Sequence, residues 1–301
     1  MKLTQIRGNT WVAEGLEFIP FYRLGGGRVI LLDSGLHQEQ DDLDETLRAN
    51  GLTPAGILNS HAHVDHCGNN RFLQQTYGCS VAMTAPEAAM CQNLLTLKCY
   101  YLLLSPDMVE REAGFLVHRP EVIVPEEDGP FSFLGAEFQI LHTPGHSAGH
   151  ISIVTPDGVC YVGDAALSRE TLSAKLPYSL SHALAEQSRS KLAGLNCRAY
   201  VMAHRGVCAP GAFPALIQDN QALLRRRAGE ILALIDHPMT ASEINRAVCA
   251  QDKLLTHKPT RALRFERNIR LFLDYLVDTG KVQLSCEEGT LLYSVELGGR
   301  S

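Results

Sequence analysis

A short histidine-rich segment holds the residues of this chain best suited to metal chemistry. The stretch His61-Ala62-His63-Val64-Asp65-His66 places four side chains with metal-binding atoms within six positions. Imidazole nitrogen and carboxylate oxygen are the donors that zinc and other first-row divalent metals prefer. Three histidines and an aspartate packed this closely are costly to leave without a partner, so the segment predicts a metal site.

Three further donors stand later in the chain, and each follows a run of apolar residues that predicts a strand. They are His146, Asp164 and His204. Because the ends of neighbouring strands meet at one edge of a sheet, we expect these donors to converge on the histidine-rich segment. The two sets together supply seven donors, enough for two metal ions that share one carboxylate.

Short strands and helices alternate around these donors. The early strands are predicted at 10–13, 17–22, 29–32 and 56–60, with a helix at 38–50, and the last of these strands leads directly into the histidines. Helices are predicted at 70–78 and 85–104, and a second set of strands at 121–124, 131–133, 137–141, 151–154 and 159–162. Two β-rich halves that each need a cover for an apolar face predict an α/β (α+β) fold, an αββα sandwich.

One apolar stripe in the second helix has two interpretations. It consists of Leu94, Leu95, Leu97, Tyr100, Tyr101 and Leu103. Helical spacing of this kind is more typical of core packing than of a wall for a substrate. We therefore predict that the stripe packs in the core.

The pattern of the chain changes after residue 212. Long helical patterns follow at 216–235 and 261–279, and Thr240-Ala241-Ser242-Glu243 fits a capping box that opens another helix. The segments 281–284 and 290–295 then predict a hairpin. We predict a catalytic domain over 1–212 and a small helical, winged-helix-like module over 213–301, which caps the site or forms a homodimer interface.

The chain resembles the metallo-β-lactamase fold superfamily over roughly residues 10 to 210. The matching motifs occur in the family's order: the Leu32-Asp33-Ser34-Gly35 turn, the HxHxDH block, Thr143-Pro144-Gly145-His146, Gly163-Asp164 and the late His204. The resemblance implies two ligand sets, which are His61, His63 and His146 for one metal and Asp65, His66 and His204 for the other. It further implies that Asp164 bridges the metals and that Asp33 orients a ligand histidine from behind.

Two metals held in this way predict hydrolysis. They lower the pKa of a bridging water, hold a carbonyl or phosphoryl oxygen and stabilise the oxyanion, with hydroxide as the nucleophile. Asp65 is placed to orient that hydroxide and to pass a proton to the leaving group. Zinc is the expected metal, with manganese and iron as alternatives.

Differences from known groups of the family restrict the range of expected substrates. Secreted β-lactamases lack a bridging aspartate where this chain has Asp164. The stretch 165–170 lacks the Gly-Cys-Gly-Arg/Lys segment of hydroxyacylglutathione hydrolases, and Leu167 stands where quorum-quenching lactonases have tyrosine. The prediction is a hydrolase of a small ester, thioester or lactone. Arg205, Tyr178 and His182 are candidates for substrate contact, although packing or surface roles suit them equally.

Three alternatives stay open. A phosphodiesterase or ribonuclease on the same centre predicts a basic groove that leads from the C-terminal module to the metals. A persulfide dioxygenase of this fold uses one iron bound by two histidines and an aspartate, whereas all seven donors are present here. A binding module with a decayed site would have lost ligands, and this chain has lost none.

Composition adds broader expectations. With 27 basic and 33 acidic residues among 301, the net charge of −6 argues against nucleic acid as a partner. No apolar run approaches the ~18 residues of a membrane span, and the first residues lack the pattern of a signal peptide. Nine cysteines without a CxxC pair indicate reduced thiols. We expect a cytoplasmic protein with a small-molecule substrate.

Overall fold

The computed structural model describes residues 1–101 and 103–295. Its first sheet has seven strands in sequence order: β1 (Lys2–Arg7), β2 (Thr10–Glu14), β3 (Phe18–Gly25), β4 (Arg28–Leu32), β5 (Thr53–Leu58), β6 (Ser80–Thr84) and β7 (Val122–Val124). Strands β1 to β4 pair antiparallel, whereas β4 to β7 pair parallel. The parallel half therefore sends the carboxyl ends of β4, β5 and β6 to one edge.

The second sheet has six strands in the described part of the chain. They are β8 (Gly129–Phe133), β9 (Ala136–His142), β10 (Ile151–Val154), β11 (Val159–Gly163), β12 (Ala199–Met202) and β13 (Val207–Cys208), in the order β13-β12-β11-β10-β9-β8. Strands β11 and β12 pair parallel, and the other neighbours pair antiparallel. Residues alternate between buried and exposed along β9, as a strand with one face on a core requires.

The two sheets pack face to face, and helices cover their outer faces. The shared core includes Ile30 and Leu58 of the first sheet and Phe138, Ile153 and Tyr161 of the second. The first sheet is covered by α1 (Gln40–Ala49), α2 (Asn70–Tyr77), α3 (Ala85–Met90), α4 (Leu94–Tyr100) and α5 (Pro106–Ala113), and the second by α6 (His182–Ala193) and the start of α7 (Phe213–Leu232). The predicted αββα sandwich is confirmed.

The C-terminal part builds a core of its own. It contains the rest of α7, then α8 (Ala241–Gln251), α9 (Pro259–Asp278) and the hairpin of β14 (Gln283–Glu287) and β15 (Thr290–Ser294). Leu224, Ile244 and Phe272 are buried together there. The predicted capping box is present, since Thr240 accepts from the Glu243 N–H and the Glu243 carboxylate accepts from the Thr240 N–H. The boundary at residue 212 stays a prediction, because Phe213 packs on the second sheet.

The predicted helix over 85–104 is wrong as a single element. The chain breaks between α3 and α4, where the Asn93 side chain accepts hydrogen bonds from the Leu95 and Thr96 N–H groups and starts a new helix. The apolar stripe splits accordingly. Leu97 is buried in the core, and Leu94 and Tyr101 pack against it, as predicted. The core interpretation is wrong for Leu95, which is 71% exposed, and for Tyr100 and Leu103, which line a cavity that Tyr101 also reaches. No helix in the described residues is long and apolar enough to cross a membrane.

Candidate metal centre

The seven predicted donors meet at one edge of the two sheets. Strand β5 ends two residues before Ser60, and the chain then forms the loop of His61 to His66. Strands β11 and β12, which run parallel, deliver Asp164 and His204 to the same place. The structure gathers the donors into two adjoining groups, His61, His63 and His146 in one and Asp65, His66, Asp164 and His204 in the other.

The first group consists of three buried imidazoles that point at one another. His63 Nδ1 lies 3.0 Å from His61 Nε2 and 2.9 Å from His146 Nε2. Burial lowers the pKa of His61 and His63 well below the ordinary value, and it lowers the pKa of His146 to about 4. The lowered pKa values favour the neutral form that binds metal, and one nitrogen of each ring lies within 4.8 Å of the others, as ligands of a single cation do.

The second group combines two carboxylates with two imidazoles. His204 Nε2 lies 3.1 Å from Asp164 Oδ2 and 3.7 Å from Asp65 Oδ2, and His66 Nε2 lies 3.6 Å from the same Asp164 oxygen. Asp164 raises the pKa of His204 to about 11. Burial lowers the pKa of His66, but the nearby carboxylates outweigh it and raise that pKa overall. This group thus attracts a positive charge.

Asp164 joins the two groups. Its Oδ2 also lies 3.3 Å from His146 Nε2 of the first group, so one oxygen faces both. Its other oxygen, Oδ1, is buried without a hydrogen-bond partner, and so is His66 Nε2. Buried polar atoms left without partners are costly, and two cations would satisfy them. The residues present therefore fit two metal ions that share Asp164.

Asp33 supports the second group from behind. It follows β4 with a left-handed backbone, φ 66°. Its carboxylate accepts hydrogen bonds from the Ser60 N–H at 2.7 Å, from His66 Nδ1 at 2.7 Å and from the Tyr161 hydroxyl at 2.7 Å. These bonds direct His66 Nε2 towards the other donors. Orientation of a ligand histidine in this way is the role that the resemblance implies for Asp33.

Two further carboxylates hold donors in place, and sequence analysis missed both. Glu17 lies with Oε2 2.7 Å from His204 Nδ1. Glu87 accepts from the Ala62 N–H at 2.8 Å with one oxygen, and from Ser147 Oγ at 2.6 Å and the Gly149 N–H at 2.8 Å with the other. Each partner is distant in the sequence, so no local pattern reveals these contacts.

A cavity of about 590 Å³ opens over the two groups. Its walls come from the α4–α5 region and from α9 of the C-terminal part. Tyr100 packs on the His63 ring at 4.6 Å between centroids, and Tyr178 packs on the His146 ring at 5.3 Å. The predicted contact residue Tyr178 therefore does lie beside the donors.

Arg205 and His182, also predicted as substrate contacts, lie elsewhere. Arg205 donates from Nε to the Leu16 carbonyl at 3.2 Å. His182, only 2% exposed, stacks on Phe272 of α9 with 4.2 Å between the ring centroids. Neither residue is among the described residues that line the cavity. The structure favours the packing interpretation for His182 and the surface interpretation for Arg205, which is exposed.

Comparison with known proteins places this architecture in a family. A sequence model of the Metallo-beta-lactamase superfamily matches residues 15–204. A metallo-beta-lactamase family protein from Thermus thermophilus has the same fold, with a TM-score of 0.72 and 22% identity over 96% of this chain and 99% of that one. A beta-lactamase domain protein from Burkholderia ambifaria gives a TM-score of 0.69 at 18% identity, over 98% of this chain and 94% of that one.

Relatives in sequence include hydroxyacylglutathione hydrolases. One from Shewanella oneidensis is 30% identical over 126 residues, which cover 40% of this chain and 38% of that protein. One from Methylococcus capsulatus is 30% identical over 197 residues, 63% of each chain. The matched stretch therefore spans less than two thirds of either relative. Since the family model covers most of the sandwich and all seven donors, this chain belongs to the metallo-β-lactamase superfamily.

Proposed function

We propose that this protein is a dinuclear metal-dependent hydrolase of a small ester, thioester or lactone. The observation that carries the proposal is the pair of donor groups joined by Asp164, whose Oδ2 faces a histidine of each group. Two divalent ions bound there supply a hydroxide nucleophile at neutral pH and polarise the oxygen that gains charge. We propose zinc as the metal because five imidazoles dominate the donors, with manganese and iron as alternatives.

The protein's own residues provide proton transfer, exclusion of water and a surface for the substrate. Asp65 lines the cavity and stays partly exposed, so its carboxylate is placed to accept a proton and to return it to the leaving group. Tyr100 and Tyr178 pack against the ligand rings and keep water from that side of the donors. The apolar part of the cavity wall suits a small acyl compound, because such sites are mostly apolar with a few polar groups that fix orientation.

A second candidate, a phosphodiesterase on the same centre, gains support from one feature. Arg264, Arg267 and Arg270 of α9 line the cavity, which is the basic lining from the C-terminal part that this alternative predicts. Against it, Arg270 is paired with Glu266 at 3.1 Å, and Glu112 brings a carboxylate to the same cavity. We therefore keep the ester, thioester and lactone class first.

The test is hydrolysis by protein that has been stripped of metal and reloaded. Zinc, manganese and iron are added separately, and a panel of esters, thioesters, lactones and phosphodiesters is assayed. We expect metal-dependent turnover of an acyl substrate and a loss of about 10²-fold or more in kcat for Asp65→Asn. Asp236→Asn, a change at an exposed carboxylate, is the matched control and should leave kcat unchanged. A kcat that is unchanged in Asp65→Asn, or activity on phosphodiesters alone, would overturn the proposal.

A further inference from the structure

Arg267 occupies an unusual position beside the first donor group. Its guanidinium carbon lies 4.2 Å from the centroid of the Tyr178 ring and 5.5 Å from that of Tyr100. Those two rings in turn pack on His146 and His63. Arg267 is thus held by cation–π contacts at the edge of the metal centre, with its direction set by two aromatic faces.

The charge of Arg267 is not neutralised by the described residues. Nε donates to Asn268 Oδ1 at 3.2 Å, which is an amide and not a carboxylate. Arg270, one turn later on α9, differs because it is paired with Glu266 at 3.1 Å. In the described part of the chain no carboxylate forms an ion pair with Arg267. A guanidinium held in place but left without an anion is suited to bind one.

Leucines line much of this wall, beside the charged Arg264, Arg270 and Glu112. Leu263 and Leu271 of α9 line the cavity on the same helix face as Arg267, and Leu103 and Leu104 face them from the α4–α5 connection. Their spacing on α9, four residues before and four after Arg267, places all three on one stripe of the helix. The cavity therefore combines a cation held by two aromatic rings with leucines on both sides.

We propose that the cavity selects an acyl ester or thioester that carries an oxyanion on an apolar chain, with Arg267 as the residue that binds the oxyanion. This inference rests on the proposed hydrolase function and assigns its substrate class. The whole chain carries a net charge of −6, so a cationic wall at the site is a local feature and not a reflection of composition. A carboxylate and a phosphate monoester share the chemistry that a guanidinium recognises.

Matched esters test the proposal directly. Mono-4-nitrophenyl suberate and 4-nitrophenyl octanoate differ only in a terminal carboxylate, so the ratio of their kcat/KM values isolates the anion. We expect the metal-loaded protein to prefer the suberate by roughly 10-fold to 100-fold, as a charge-assisted hydrogen bond predicts, and Arg267→Gln to bring the ratio near one. Arg267→Lys keeps the charge without the planar stacking and should retain part of the preference. An ω-phosphate analogue of the octanoate ester shows whether carboxylate or phosphate binds better.

Arg261→Gln is the control, because Arg261 also lies on α9 against an aromatic ring, Phe265, but does not line the cavity. It should keep the wild-type ratio. Equal hydrolysis of the two esters, with no change in Arg267→Gln, would overturn the anion site and leave the hydrolase standing.

Direct binding separates the two proposals further. Octane-1-sulfonate, a poor metal ligand, is compared with 1-octanol by calorimetry on metal-loaded protein. We expect the sulfonate to bind at least about ten times more tightly and Arg267→Gln to remove that advantage. If no ester is hydrolysed but the sulfonate still depends on Arg267, the hydrolase proposal fails and the anion site stands. Equal affinities would overturn the anion site whatever the activity.

Discussion

Replacing Glu87 by glutamine is expected to weaken metal binding through the loop that carries His61 and His63. Glu87 is 1% exposed, and its carboxylate accepts three hydrogen bonds from two ligand loops. Glutamine has the same shape but only one acceptor oxygen. The amide will turn that oxygen towards Ser147 and Gly149, where it keeps two bonds, and its NH₂ group will then meet the Ala62 N–H.

The magnitude follows from that one lost bond. A buried N–H left without an acceptor costs about 1–3 kcal/mol, so the free energy of unfolding of metal-free protein should fall by that amount. Ala62 lies between two donors, so its N–H fixes their spacing. Groups that orient metal ligands in this way change metal affinity by about 10-fold to 100-fold when mutated, and we expect Glu87→Gln to lie in this range.

The assay pairs urea unfolding of metal-free protein with zinc titration against a chromophoric chelator. Glu39→Gln is the matched control, because Glu39 is a buried carboxylate that accepts from the Leu16 N–H at 2.8 Å and has a second oxygen without a partner. The glutamine NH₂ group can occupy that second side, so zinc affinity should not change. Zinc affinity of Glu87→Gln within about twofold of wild type would refute a positioning role, even if the variant is less stable.

Other parts of the centre give further expectations. Tyr161→Phe removes a 2.7 Å hydrogen bond to Asp33 and should lower the free energy of unfolding by about 1–2 kcal/mol in urea; unchanged stability would contradict the supporting role of this bond. Because Asp164 raises the pKa of His204 to about 11, metal-free protein holds a proton there at pH 8, and metal loading must displace it. Because the pKa of His66 is raised as well, calorimetry in two buffers of different ionisation enthalpy should show net proton release on metal loading, less of it in His204→Ala, and an affinity that falls as pH is lowered. Proton release that is the same in wild type and His204→Ala would contradict the ligand role of His204.

The donors could be predicted from the sequence because each depends on a local pattern. Four donors within six residues are enough to identify the block from His61 to His66 as a metal site. His146, Asp164 and His204 each follow a strand that is predicted by a run of apolar residues. Parallel pairing in the first sheet and between β11 and β12 then brings together the strand ends that carry the histidine block, Asp164 and His204. The same predicted strands also lead to the prediction of the αββα sandwich.

The walls and supports of the site could not be predicted in this way. Whether α9 turns Arg267 or a neighbour towards the donors depends on how the C-terminal part docks on the sandwich, which no local pattern encodes. Glu87 acts through partners that lie 25 to 62 residues away. The break before α4 could have been predicted from local signals, since Asn93 and Thr96 form a capping box. Likewise, Ser105 followed by a proline marks the start of α5.

The metal content of the purified protein is the most direct test of the dinuclear centre. Elemental analysis should compare wild type with Asp164→Ala and His204→Ala. We predict about two ions per chain in wild type and fewer in both variants, because Asp164 Oδ2 faces both donor groups and His204 belongs to the second. About one ion per chain, unchanged when His204 is lost, would contradict the dinuclear centre and favour the mononuclear iron alternative.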